Sequence, residues 1–433
     1  MAAKKKPVKR TPKKKGPAKK KAAAKRTPRS GSVQNETPLS SVDPAKRKRV
    51  LALMNKVNTH AKKDLLRFAS DVPSTYYVRR PNGITQMDVD TGGGLPAGGL
   101  STIGGPDGAG KSTLLYLYFA MNQRLHGGQS AIAYAYKEGA IDFEWARKCG
   151  WMVAVPDDDI ELIQDSRRQR GADLLTLEEV QKLKTEIGIN VALPSGLTAE
   201  ETCDGMLYAI ESNEFQLVGL DSIEALMPNQ EAKQESLEKQ GQQASRATVL
   251  TRFTQHFYAA MTGHNYTTTV ATMQVRANRS KSEAASYLQK YISDYSTQAA
   301  WAIRHAALIN IIVDKGAKVH SGTKDKKVQV GRVMRWEIAK GKAGTHEGIK
   351  GDTEFNYVGL FDLQRTLLHT ALKYGVAFEK EGCITVKKLN GEELVRFPDG
   401  ADQFCDECYD DFNLEERVRL EVMAAANKTC LYR

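Results

Sequence analysis

No apolar run in this 433-residue chain approaches the ~18 to 20 residues that a bilayer-spanning helix needs. The chain begins with lysines where a secretory leader would need an apolar stretch, so a soluble, intracellular protein is expected. Cysteine is scarce: six residues, Cys149, Cys203, Cys383, Cys405, Cys408 and Cys430, exclude a disulfide scaffold and fit a reducing compartment. Cys405 and Cys408 form a CxxC, but a zinc site needs a second ligand pair, and Cys383 and Cys430 are scattered; two ordinary thiols are the expectation. Acid is absent from residues 1–31, which hold 11 Lys and 3 Arg. The rest of the chain holds 49 Lys+Arg against 51 Asp+Glu, so the formal +12 belongs to a tail. With 41% hydrophobic residues, the body has enough apolar surface for a large core, which excludes wholesale disorder.

The tail, KKKPVKRTPKKKGPAKKKAAAKRTPRSG, has almost nothing to bury and is expected to be disordered over about residues 1–40. Fourteen cations without an acid suit sequence-independent binding to a phosphate polymer through counterion release. Residues 46–49, KRKR, read either as a nuclear-targeting cluster or as part of a helix. The helix is the better reading: Asp43 can cap it, Pro44 suits its first position, and Val50, Leu53, Met54, Val57, Ala61 and Leu65 recur at helical spacing.

From Leu100 onward, apolar strands alternate with helices. Strands are expected at Leu100–Ile103, Ala131–Tyr136, Ile160–Ile163, Phe215–Leu220, Thr267–Met273, Ala307–Val313 and Val333–Ala339, and helices at Ser112–Leu125, Phe143–Lys148 and Ser245–Met261. This alternation predicts an α/β domain with a mostly parallel sheet covered on both faces. Beyond Asp362 a small α/β appendix is expected: a helix Leu363–Tyr374, a strand pair about Val376–Val386, and helix from Leu414.

Gly105-Pro106-Asp107-Gly108-Ala109-Gly110-Lys111-Ser112, followed by Thr113, satisfies GxxxxGK[ST] between a strand and a helix. Its glycines let backbone N–H groups converge on a phosphate at a helix N-terminus. Lys111 is expected to reach the β- and γ-phosphates of ATP, and Ser112 to ligate Mg²⁺. Asp221, where the strand FQLVGLD emerges, is expected to hold the Mg²⁺ shell. Glu138, at the end of AIAYAYKE, is placed to activate water. Strand-end carboxylates also serve as plain helix caps, the alternative for both.

These motifs, in this order, resemble a RecA-type recombinase: GGGLPAGGLSTIGGPDGAGKSTLL, EGAIDFEWARKCG, LVGLDSIEALMP, ATMQVR, WEIAKGKAG and DLQRTLLHTALKYGVAFEKEG. The resemblance runs from about Asp43 to the C-terminus and leaves out the basic tail, which is similar in composition to linker-histone tails. It implies a RecA-like P-loop ATPase core over 76–360, an N-terminal oligomerisation helix within 41–75, and a small C-terminal domain over 361–433. It further implies that Glu138 is the catalytic glutamate, that Asp142 and Trp145 flank adenine, and that Gln274 senses the γ-phosphate. Lys340 and Lys342 resemble lysines that reach a neighbouring subunit's nucleotide. Arg246 resembles a DNA-contacting arginine, and the stretch from Val275 to Thr297, with Arg276 and Arg279, resembles a DNA-binding loop. Its Tyr287, Tyr291 and Tyr295 read either as base-contacting rings or as one apolar helix face.

Two departures stand out against the resemblance. Residues 157–188 are extra, with Leu177, Val180, Leu183 and Ile187 at helical spacing, and the loop from Val275 to Thr297 lacks a glycine run. The expected function is that of an ATP- and Mg²⁺-dependent recombinase that forms helical filaments on single-stranded DNA and pairs them with double-stranded DNA. Single-strand-binding or loader proteins are its implied helpers, and its place is on DNA in the cytoplasm, or in a nucleus if the tail directs it there. A ring-forming DNA motor and an ATP-regulated DNA-compacting protein are the rival readings.

Overall fold

The computed structural model describes residues 43–62, 65–68, 75–185, 188–233, 243–261, 264–275, 301–322, 327–357 and 360–428. The basic tail, Arg276, Arg279 and Tyr287, Tyr291 and Tyr295 lie outside them. The chain divides into two units, residues 1–71 and 72–433.

In the first unit, helix α1 (Pro44–Ala61) starts as expected: the Asp43 carboxylate accepts from the Ala45 N–H at 2.9 Å, with Pro44 in the first turn. It ends at Lys62, in the left-handed region at φ 52°, so Leu65 falls beyond it. Asn58 then holds the returning chain, donating to Leu66 O and accepting from Leu66 N, each at 2.9 Å. Val50, Leu51 and Leu53 are exposed.

The second unit opens with β1 (Arg79–Arg80), α2 (Thr85–Asp90) and β2 (Leu95–Pro96), followed by β3 (Gly99–Gly105) and α3 (Lys111–Leu125). Next come β4 (Ala131–Tyr136), α4 (Phe143–Lys148), α5 (Asp157–Gln169), α6 (Leu177–Lys184), β5 (Ile189–Leu193) and α7 (Ala199–Ser212). Then follow β6 (Leu217–Asp221), α8 (Asn229–Ala232), α9 (Gln243–Ala260), β7 (Thr268–Gln274) and α10 (Trp301–Ala306). Long strands β8 (Ile309–Ser321) and β9 (Val328–Gly341) precede β10 (Lys350–Asn356) and α11 (Leu363–Lys373). The chain continues through β11 (Ala377–Lys380), β12 (Cys383–Lys387), β13 (Glu393–Phe397), α12 (Ala401–Asp410) and α13 (Phe412–Ala426).

Among the described residues the central sheet has eight strands in the order β10-β9-β8-β3-β7-β6-β4-β5. The run from β8 to β5 is parallel, and β9 and β10 extend it antiparallel. Parallel strands are buried on both faces, and β3 and β6 are buried at every position. One face packs α3 with Trp151 and the end of β10; the other packs α7, α9 and α10. On the first face Tyr116, Phe119, Tyr134 and Trp151 form a ring cluster with centroids 5.1 to 6.4 Å apart. Truncating Phe119 to alanine there would cost about 3–5 kcal/mol.

Helix α3 ends against the C-terminal elements. Arg124, in its last turn, pairs with Glu415 of α13 at 2.9 Å and lies 4.2 Å over the Phe412 ring. There β11, β12 and β13 form an antiparallel sheet, one strand more than the expected pair, packed with α11, α12 and α13 around Phe397, Phe404 and Val418. Cys405 and Cys408 sit on α12, where burial pushes their thiols up to about 11 and about 12.

The expected strand at Ile160–Ile163 is instead part of α5. Asp157, Asp158 and Asp159 favour a helix N-terminus by charge, and of the apolar residues only Ile160 is buried. The strand of this region is β5, paired with β4. Helix α6 stops at Lys184, Ile187 lies outside the described residues, and α7 begins with a Thr198/Glu201 capping box that the expected elements did not include.

Candidate nucleotide site

The phosphate-binding loop joins the end of β3 to the start of α3. Gly108 and Gly110 adopt φ of 63° and 92°, backbone that a side chain resists, and Gly110 caps α3. A Cβ at Gly108 would come 3.1 Å from Lys315 Nζ, so this ammonium lies directly over the loop. Lys111 is buried and donates to Pro106 O at 3.1 Å, folded back onto the loop.

The register of the sheet sets the rest. Gly105 stands opposite Gln274 on β7, and Asp221 pairs with Tyr136 at the end of β4, two residues before Glu138. The loop, Glu138, Asp221 and Gln274 therefore converge on one edge, outside the carboxyl ends of the parallel strands, where ligands bind in open α/β sheets. A cleft of about 870 Å³ opens there, lined by the loop from Asp107 to Thr113 together with Glu138, Asp142, Trp145 and Gln274.

Carboxylates in this region are held by named donors. Ser222 Oγ donates to Glu138 Oε1. Asp221, 6% exposed, accepts from Thr272 Oγ1 and, at 3.4 Å, from Tyr134 OH. Burial, then the Asp221 charge, drives the Tyr134 phenol far above its ordinary value and keeps it a donor. Gln274 N donates to Glu224 Oε2 at 2.9 Å. Burial raises the Glu224 carboxyl, the Gln274 N–H bond opposes that rise, and the Glu138 charge adds to it; its Oε1 is buried without a hydrogen-bond partner among the described residues.

Trp145 donates its indole N–H to Thr113 Oγ1 at 3.1 Å, and Asp142 caps α4 by accepting from Trp145 N at 2.9 Å. The facing wall comes from residues that the sequence did not single out: Lys315, Arg332, Phe355, Tyr357 and Phe361. Phe355 meets Trp145 edge to face at 5.8 Å. Phe355 lies on β10 and Tyr357 follows its last residue, their rings meeting edge to face at 6.0 Å; the two-residue spacing of the aromatics was the available signal. Lys137 was also missed; its buried ammonium donates to the carbonyls of Pro194, Ser195 and Leu197 at 3.3, 2.6 and 2.5 Å, beside Glu138.

The residues present fit a nucleoside triphosphate and a divalent cation. A glycine-rich cradle at a helix N-terminus meets Lys111 and Lys315, with aromatic rings to one side and the Ser112 hydroxyl in the lining; Asp221, at the end of the neighbouring strand, does not itself line the cleft. Lys340 and Lys342 do not line this cleft. Lys340 Nζ closes the end of α10, donating to Arg304 O at 2.7 Å and His305 O at 2.9 Å. Arg246 lies half-buried in the first turns of α9. Among the described residues, no helix is long and apolar enough to cross a membrane.

No protein-family model matches the chain. Over 112 residues it is 34% identical to "Protein RecA" of Streptomyces avermitilis, 24% of this chain and 29% of that protein. It is 31% identical over 122 residues to "Protein RecA" of Petrotoga mobilis, and 32% over 142 residues to that of a Mycobacterium species, covering 32% and 40% of those proteins. The chain thus spans about three- to four-tenths of the length of the curated relatives it matches. A crystal structure of the RadB recombinase aligns with a TM-score of 0.39 and 16% identity, over 65% of this chain and 98% of that one.

Proposed function

We propose that this chain is an ATP-dependent DNA recombinase that assembles as a helical filament on single-stranded DNA and pairs it with homologous duplex. The observation that carries this reading is the convergence of Lys111, Glu138, Asp221 and Gln274 on one edge of the sheet. The partial likeness to RecA proteins supports the choice among P-loop ATPases.

In this reading the loop amides and Lys111 bind the phosphates and stabilise charge on the γ-phosphoryl group as it transfers. Glu138, oriented by Ser222, takes the proton of the attacking water, and ADP and phosphate leave. Mg²⁺, held by Ser112 and Asp221, supplies positive charge to the phosphate oxygens. Trp145 and Asp142 border the base. Gln274 passes the state of the γ-phosphate to the segment that follows it, where Arg276 and Arg279, with Arg246, contact DNA. Lys340 and Lys342 complete a neighbour's nucleotide, and the basic tail adds phosphate contacts. Residues 41–75 serve oligomerisation, 76–360 the ATPase, and 361–433 a small C-terminal domain.

Electron microscopy with single-stranded DNA and a slowly hydrolysed ATP analogue tests this. Helical filaments that require nucleotide are expected. Closed rings would make the chain a motor, and DNA clumps indifferent to nucleotide would make it a compacting protein.

A further inference from the structure

Asp221 is a buried carboxylate, and a buried anion is ordinarily paired with a cation. Among the described residues its side-chain partners are hydroxyls instead. Thr272 Oγ1 donates to Oδ1, and Tyr134 OH donates to Oδ2 at 3.4 Å. Tyr116 OH lies 3.4 Å from Tyr134 OH, and because the Tyr134 proton points to Asp221, Tyr116 is the donor of that second bond.

The backbone builds this chain of hydroxyls. Leu220 pairs with Ala271, so the next residues, Asp221 and Thr272, sit side by side on β6 and β7. Tyr134 pairs with Gly219, where a Cβ would stand 2.5 Å from Phe119 Cζ and 3.4 Å from Tyr134 Cδ2. A residue without a side chain there makes room for the Phe119 ring beside Tyr134.

We propose that Thr272, Tyr134 and Tyr116 form a hydroxyl relay that orients the Asp221 carboxylate for a divalent cation at the nucleotide site without cancelling its charge. The proposal rests on the ATPase reading above. A lysine or arginine in their place would satisfy the buried oxygens but neutralise the charge that attracts a cation. Hydroxyl dipoles stabilise the anion and leave its charge at −1. Donors from two different strands, one per oxygen, also fix the rotation of the carboxylate. Neither Asp221 nor the three hydroxyl residues line the cleft, so Asp221 would act on a cation through its water shell and the three are positioning residues.

The test uses the full chain and two equilibrium measurements: binding of fluorescent ADP in EDTA, and binding of Mn²⁺ to the protein–ADP complex by electron paramagnetic resonance. In Thr272→Val and in Tyr134→Phe, Mn²⁺ affinity is expected to fall about tenfold, the loss of one hydrogen bond to a charged group. ADP binding in EDTA is expected to be unchanged, Thr272→Ser to restore the metal affinity, and Tyr116→Phe to cost less than Tyr134→Phe. If Thr272→Val does not fold, Tyr134→Phe carries the test, since its ring packing remains. Unchanged Mn²⁺ affinity in both variants, equal losses with and without metal, or a Thr272→Ser as weak as Thr272→Val would overturn the relay. Wild-type protein that binds no ADP in either condition would instead remove the ATPase reading, and the relay with it.

Discussion

The backbone N–H of Gln274 donates to the Glu224 carboxylate at 2.9 Å, tying the last residue of β7 to the turn that follows Asp221. The proposed sensor of the γ-phosphate is thereby fastened to the strand end that carries the metal-shell acid. Glu224→Ala leaves that N–H without its partner at a part-buried site, a cost of about 1 kcal/mol. Phosphate release measured with and without single-stranded DNA is expected to show DNA stimulation reduced about tenfold, with the DNA-free rate much less affected. Equal losses in both conditions would reduce the hydrogen bond to simple scaffolding.

Lys111→Ala removes the cation of the phosphate loop. Nucleotide affinity is expected to fall by about two orders of magnitude, the scale of removing a charge-assisted bond to phosphate, with the thermal unfolding midpoint little moved. Calorimetric titration with ADP and ATP reads the first quantity. Unchanged ATP turnover would sink the assignment of the loop.

Trp145→Ala is expected to raise KM for ATP about tenfold while kcat changes little, because in the proposed reading the ring borders the base equally in ground and transition states. It also frees the Thr113 hydroxyl, so Thr113→Ala is the control that separates the two contributions. Quenching of tryptophan fluorescence by added nucleotide in wild type, absent in Trp145→Phe, checks the stacking independently.

Lys340 gives a pH dependence with a worked sign. Burial, first, and the charges of Lys342 and Arg304 lower its ammonium to about 8, against the pull of Glu347. As pH rises through about 8, the folded protein loses this cation while the unfolded chain keeps it up to its ordinary 10.5. The unfolded state then binds more protons, so this residue makes folding more favourable as pH rises between those values. Any role for its charge runs the other way. Nucleotide-dependent assembly on DNA, followed by light scattering, is expected to weaken above pH 8 and to become insensitive there in Lys340→Arg. A wild-type profile flat across that range would exclude a charged contact.

Deleting residues 1–31 removes 14 cations and no anion. The slope of log affinity against log salt is expected to become shallower by about 0.7 for each single-strand phosphate that the tail no longer neutralises, with ATP turnover spared. An unchanged slope would refute a DNA-binding role for the tail.

The parts of the site that could be read in advance are those whose chemistry is compressed into a few consecutive residues or marked by a strand end. Gly105 to Ser112 is one such run, and Glu138 and Asp221 are polar where an apolar strand stops. Thr272 and Tyr134 were illegible for the opposite reason: inside β7 and β4 they look like ordinary β-formers, and only the register brings their hydroxyls to Asp221. Phe355 and Tyr357 reach the cleft from more than 200 residues away, through strand pairing that no local pattern encodes. Ile160 to Ile163 misled because a short apolar run suits either element; the three aspartates before it decided for a helix.

Gly99 to Gly105 and Thr268 to Gln274 pair one to one over seven positions. The two strands thus act as a ruler: counted from their common start, they deliver the phosphate loop and Gln274 to the same height. One residue added within β7 would carry Gln274 about 3.3 Å onward and turn its side chain to the opposite face. The spacing of this site is therefore written in strand length.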